Sequence, residues 1–164
     1  MPPESPEADR ADFYAAAIYG SILAASLIAI FRQEHSSAHT IALALLGTMG
    51  VFWLAHVWSA IVGERLHYGE LFTWRRGARL ARAEWPLVEA AFAPTAVLVL
   101  GWLGVIGNHT AENLALAVCI AQLFAWGLAV GRRAYHRWWA AILAGLGESL
   151  LGLGLVWLEV TVAH

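Results

Sequence analysis

The sequence predicts an all-α fold: a polytopic membrane protein, built as a bundle of five transmembrane helices with a short amphipathic cytoplasmic helix between spans 2 and 3. Three observations lead there. Of the 164 residues 60% are apolar and only 13% charged, a membrane-protein balance. Five long apolar stretches lie at about residues 12–31, 40–63, 86–107, 111–131 and 138–161. Each approaches the roughly 20 residues a helix needs to cross about 30 Å of hydrocarbon. The chain has ten arginines and no lysine, and assigning the connecting segments alternately to the two sides divides the arginines nine to one.

One side receives Arg10, then Arg65, Arg75, Arg76, Arg79 and Arg82, then Arg132, Arg133 and Arg137; the other receives Arg32 alone. The positive-inside rule makes the rich side cytoplasmic. The expectation is a multi-pass protein of a bacterial-type inner (plasma) membrane, with the N-terminus cytoplasmic and His164 outside. Residues 12–164 form one membrane domain, since five spans leave no length for a soluble one. Residues 1–11 are rich in proline and acids and read as a disordered cytoplasmic tail. That tail has neither the positive n-region nor the cleavage site of a secretory signal, so the first span is retained. The arginines flank helices at the lipid surface, which argues for the bilayer as partner and against nucleic acid. The single cysteine, Cys119, falls inside the fourth span and leaves no disulfide framework and no CxxC pair.

Helices in lipid associate through small residues and a few polar contacts. The first span supplies Ala16, Gly20 and Ala24 at four-residue spacing, with Ala17, Ser21 and Ala25 beside them. Trp53, Trp102 and Trp126 sit deep and pack in the core or against lipid, while the other tryptophans suit interface belts. Pro86 opens the third span, where a missing N–H is harmless, and Pro94 lies inside it. The fourth offers the row Ala117, Ala121, Ala125 and Ala129; the fifth offers Ala141, Gly145, Ser149 and Gly152, flanked by Gly147 and Gly154. These stripes predict a compact bundle, and the fifth helix is also suited to pack on a symmetry mate. In the connector after span 2, Arg75, Arg79 and Arg82 share a helical face, while Leu71, Phe72, Trp74 and Leu80 supply apolar contacts. That pattern is an interfacial helix whose arginines meet anionic lipid headgroups.

An ionisable side chain at membrane depth is expensive and asks for a reason. Counting 1.5 Å per residue from the cytoplasmic ends puts Glu89 about 5 Å deep and Tyr19 and His56 about 10 Å deep, with Gln122 and Glu148 near the midplane. Glu148 stands among glycines in GLGESLLGLG. Such a staircase suits proton or cation movement, because carboxylates bind cations or exchange protons and histidine changes charge near neutral pH. The same groups would also serve as hydrogen-bonding glue between helices. On the opposite side lie Glu34, His35 and His39, with His109 and Glu112 in the next loop and Glu159 and His164 at the end. If their turn is helical, His35 and His39 share a face and could hold a divalent metal with Glu34. No other cofactor is expected. No nucleophile elbow, HExxH, P-loop or dinucleotide fingerprint occurs, so the chain does not read as an enzyme.

The layout resembles the vacuolar iron transporter family. Five spans, an inside N-terminus, a cytoplasmic segment after span 2, a proline opening span 3, and the stretch RRAYHRWWAAILAGLGESLLGLGL are similar in style. Where that family carries an Asn-Asp-Gly signature this chain reads IYGSILAAS, so no ligand residue is carried over. The resemblance implies a homodimer with its pathway at the interface. The expected function is a small homo-oligomeric channel or transporter for protons or cations, with Glu148 as the midplane site. The alternative is a non-catalytic structural or accessory subunit, and a third reading is a membrane enzyme acting on lipid.

Overall fold

In hydrocarbon each backbone N–H and C=O must be satisfied without water, so the apolar stretches fold as helices. A computed structural model describes the backbone of residues 6–68 and 73–162, with the side chains of 11–66, 73–158 and 161. Six helices follow in order: α1 (Pro6–Gln33), α2 (Ala38–Tyr68), α3 (Trp74–Ala83), α4 (Trp85–Trp102), α5 (Asn108–Tyr135) and α6 (Trp138–Val162). Among the described residues all but α3 are long and apolar enough to cross a membrane. The chain is an all-α, multi-pass membrane protein.

The helix ends depart from the expected ones for local reasons. α1 begins at Pro6 and so takes in part of the segment expected to be a disordered tail; proline is tolerated in the first helical turn. α4 ends at Trp102, five residues before the expected 107, because Gly104 adopts a left-handed φ of 73°. The Val105 N–H then donates to the Leu100 carbonyl and the Gly104 N–H to that of Gly101, both at 3.0 Å, a Schellman closure. α1 closes in the same way on His35, φ 54°, with the Ser36 N–H reaching the Phe31 carbonyl at 3.2 Å. α5 runs past 131 to Tyr135 and stops on His136, also left-handed. Arg132 donates to the His136 carbonyl at 3.1 Å and stacks on the Trp138 ring at 4.4 Å, which fixes the turn into α6.

Small residues place α1 at the centre. Ala17, Gly20, Ser21, Ala24 and Ala25 are all buried, and α1 touches α2, α4, α5 and α6, which stand around it as an arc. The arc is open, because α2 and α6 do not meet among the described residues. The most extensive seam is α5 on α6, where Gly127 and Gly131 face Ala141, Ala144 and Gly145. In the fifth span Ala141, Gly145, Ser149 and Gly152 are buried as their spacing predicts. The fourth-span row is not: Ala117, Ala121 and Ala125 are exposed, and the glycines on another face of α5 make the close approach instead.

The amphipathic helix forms, but not as a connector lying flat at the end of span 2. α2 continues to Tyr68, and α3 folds back along it. Arg76 pairs with Glu64 at 3.3 Å, and the Trp53 indole N–H donates to the Ala81 carbonyl at 2.9 Å. Trp53, expected only to pack in the core or against lipid, is thus a tether for α3. Leu71 and Phe72 lie outside the described residues.

Candidate functional site

The five polar residues expected to form one staircase do not line one seam. The Tyr19 and His56 rings are 5.6 Å apart between α1 and α2, and His56 Nδ1 donates to the Phe52 carbonyl at 2.9 Å. Trp53 meets Trp85 edge-on at 5.7 Å, so α4 starts level with Trp53. From there His56 lies about 4.5 Å toward the arginine-rich end, and Glu89 about 6 Å the other way. The expected depth order is reversed: Glu89 is deeper than His56. It is also exposed on the outer surface of α4. The fold-back of α3, invisible to a count along the chain, is the physical reason.

Glu148 is half-buried on α6, its Cγ seated in the space left by Gly127. Gln122 belongs to the α1-facing stripe of α5. Glu112, Cys119 and Trp126 repeat every seven residues along that stripe, and Gln122 falls between the last two. Trp126 packs edge-on against Phe13 and Tyr14 of α1 at 5.7 and 5.9 Å, and Arg133 covers the Tyr14 ring at 5.2 Å. At the other end Arg32 Nε lies 3.8 Å from Glu112 Oε2. Between these charged ends, Gln122 Oε1 and Trp126 Nε1 are buried with no hydrogen-bond partner among the described residues.

At the Arg32 end the helices leave a cavity of about 730 Å³. Arg32, Gln33, His35, His109 and Glu112 line its polar side, while Ala29, Leu116 and Val156 form an apolar floor. Glu112, only 8% exposed, is the most deeply placed acid here. Comparison with protein-family models, with curated proteins and with solved structures finds no match. The geometry itself therefore carries the functional reading.

The expected metal site is not assembled. His35 ends α1 in a left-handed conformation, whereas His39 sits in the first turn of α2, so the two do not share a helical face. The Ser37 hydroxyl meets His39 Nδ1 at 2.7 Å, and the His39 ring lies beside Trp102. Among the described residues no group of three His, Cys, Asp or Glu side chains could hold a metal ion. His35, His109 and Glu112 do reach one cavity, whereas Glu34 and His39 are not part of its lining. The Glu159 side chain and His164 lie outside the description.

Arg32 and Gln33 were missed as site residues. The signal was present: a lone arginine on the sparsely charged side, in the last turn of one helix, and an acid near the start of another. Arg75, Arg79 and Arg82 are exposed on α3.

Proposed function

We propose that the protein is a small membrane transporter or channel, moving protons in preference to metal cations, in a bacterial-type inner membrane with its N-terminus cytoplasmic. The nine-to-one arginine division supports the orientation, which turns the Arg32 cavity outward. The observation that carries the reading is Gln122, whose buried Oε1 lacks a partner inside an apolar span. An unmet polar atom there costs about 1–3 kcal/mol, a cost that water or a passing proton carrier relieves. Glu148 on the neighbouring helix is the proton-exchanging group. Arg32 at the cavity and the lack of a three-residue ligand set among the described residues favour the proton over a metal ion.

A homodimer belongs to the same reading, as the resemblance to vacuolar iron transporters implies. Gly147 and Gly154 meet nothing within 4 Å in the protomer and leave α6 a small-residue face for a second copy. Cross-linking in native membranes checks it.

The experiment is proton flux into liposomes reconstituted with wild type, Glu148→Gln and Gln122→Leu. Both variants are expected to lose at least tenfold of the flux while keeping the fold. Unchanged flux in both would remove the assigned site. No wild-type flux under any gradient would favour the second reading, an accessory subunit. One observation supports that alternative: the Arg32–Glu112 pair ties the ends of α1 and α5 together.

A further inference from the structure

The cavity at the Arg32 end contains more unmet hydrogen-bonding capacity than a packing contact leaves behind. At 3.8 Å the Arg32 Nε to Glu112 Oε2 separation is beyond hydrogen-bond length. Neither side chain has a hydrogen-bond partner among the described residues. The Arg32 guanidinium thus keeps donors in a planar fork suited to a carboxylate or phosphate, and Glu112 keeps acceptors suited to an ammonium. Both Gln33 Nε2 and Gln33 Oε1 are buried in the cavity wall without a partner. Asn113 Nδ2 lies 2.9 Å from His109 Nδ1 and donates to it, which leaves the His109 Nε2–H as a further donor.

The two charges decide the class of ligand. A simple cation drawn to Glu112 would meet Arg32 at nearly the same distance, and a simple anion drawn to Arg32 would meet Glu112. Attraction and repulsion then nearly cancel. A molecule carrying both signs, a few bonds apart, satisfies both groups at once and replaces their long direct contact with two short ones. The apolar floor of Ala29, Leu116 and Val156 accommodates the carbon part.

We propose that this cavity is a binding site for a small zwitterion, with its anionic group on Arg32 and the Gln33 amide, and its primary ammonium on Glu112. The assignment does not rest on proton transport and stands or falls separately from it. The zwitterion has two possible sources, a free small molecule or an ethanolamine phospholipid headgroup.

The test uses the full-length protein in phosphatidylglycerol nanodiscs, titrated calorimetrically with O-phosphoethanolamine, inorganic phosphate and ethylammonium. The expected result is saturable binding of O-phosphoethanolamine at least tenfold tighter than either single-charge probe. Arg32→Gln and Glu112→Gln are each expected to lose at least tenfold, and Glu112→Gln to abolish the preference over phosphate. If these variants fail to fold, Leu116→Trp fills the floor while leaving both charges, and it is expected to block binding. Equal affinity for phosphate and O-phosphoethanolamine, no binding of any probe, or binding untouched by Leu116→Trp would overturn the proposal. Repeating the titration in nanodiscs containing phosphatidylethanolamine separates the sources: lost O-phosphoethanolamine binding identifies the lipid, and unchanged binding a free zwitterion.

Discussion

Gly127 of α5 provides the room in which Glu148 of α6 sits. A methyl group at 127 would stand 2.8 Å from Glu148 Cγ and 2.7 Å from the Gly145 Cα. The α5–α6 seam and the position of the membrane-embedded carboxylate are therefore one feature.

Gly127→Ala should force the two backbones apart and destabilise the protein by about 1–3 kcal/mol, the usual cost of overpacking. Gly47→Ala, on α2 and away from the α5–α6 seam, meets nothing within 4 Å and should be neutral or mildly stabilising. Thermal unfolding in one detergent compares the two; equal destabilisation would refute the assignment of the seam.

Trp53→Phe removes the donor to the Ala81 carbonyl and should weaken the docking of α3 by about 0.5–1.5 kcal/mol. Hydrogen exchange should quicken across residues 74–83 and stay unchanged in α5 and α6. Uniform quickening would mean that Trp53 supports the whole bundle and not the tether.

Arg32→Ala leaves a nearly buried Glu112 without its counter-charge and should cost roughly 1–3 kcal/mol. Adding Glu112→Ala should restore part of that loss, so the double variant melts above Arg32→Ala alone. Strictly additive melting shifts in the full mutant cycle would show that the pair contributes no coupling.

Replacing Arg75, Arg79 and Arg82 together by Gln should leave the fold intact, because all three side chains are exposed. Retention of anionic lipid through purification should fall by several-fold, each arginine near such a surface contributing about 1 kcal/mol. Native mass spectrometry reads the retained lipid, and an unchanged count argues against headgroup contact.

A reporter fused after His164 should be active outside the cytoplasm, and one fused before Pro6 inside it. A cytoplasmic C-terminal reporter would overturn the orientation taken from the arginines.

Much of the site was legible in outline and not in assembly. Glu148, Gln122 and the grouping of His35, His109 and Glu112 at one end can be read along the chain. Their company cannot. Spacing shows that Gly145 and Ser149 share a face, but it is silent on whether that face or the one bearing Gly147 meets α5. The alanine row of α5 shows the same ambiguity: Ala117, Ala121 and Ala125 are as small as the glycines that do the packing, and they are exposed. Arg32 and Glu112 are 80 positions apart in the sequence, and only the packing of α1 on α5 makes them a pair.

The number of spans and the all-α class are local properties. A stretch of some 20 apolar residues satisfies its own backbone hydrogen bonds, so its length and hydropathy suffice to make it a helix in a membrane. Depth and neighbourhood depend on how one helix is registered against another. α3 turning back along α2 left His56 nearer the arginine-rich end than Glu89, and the close approach at Gly127 seated Glu148. The meeting of α1, α5 and α6 opened the cavity beside Arg32. Those relations arise from contacts between distant segments, and only the tertiary structure decided them.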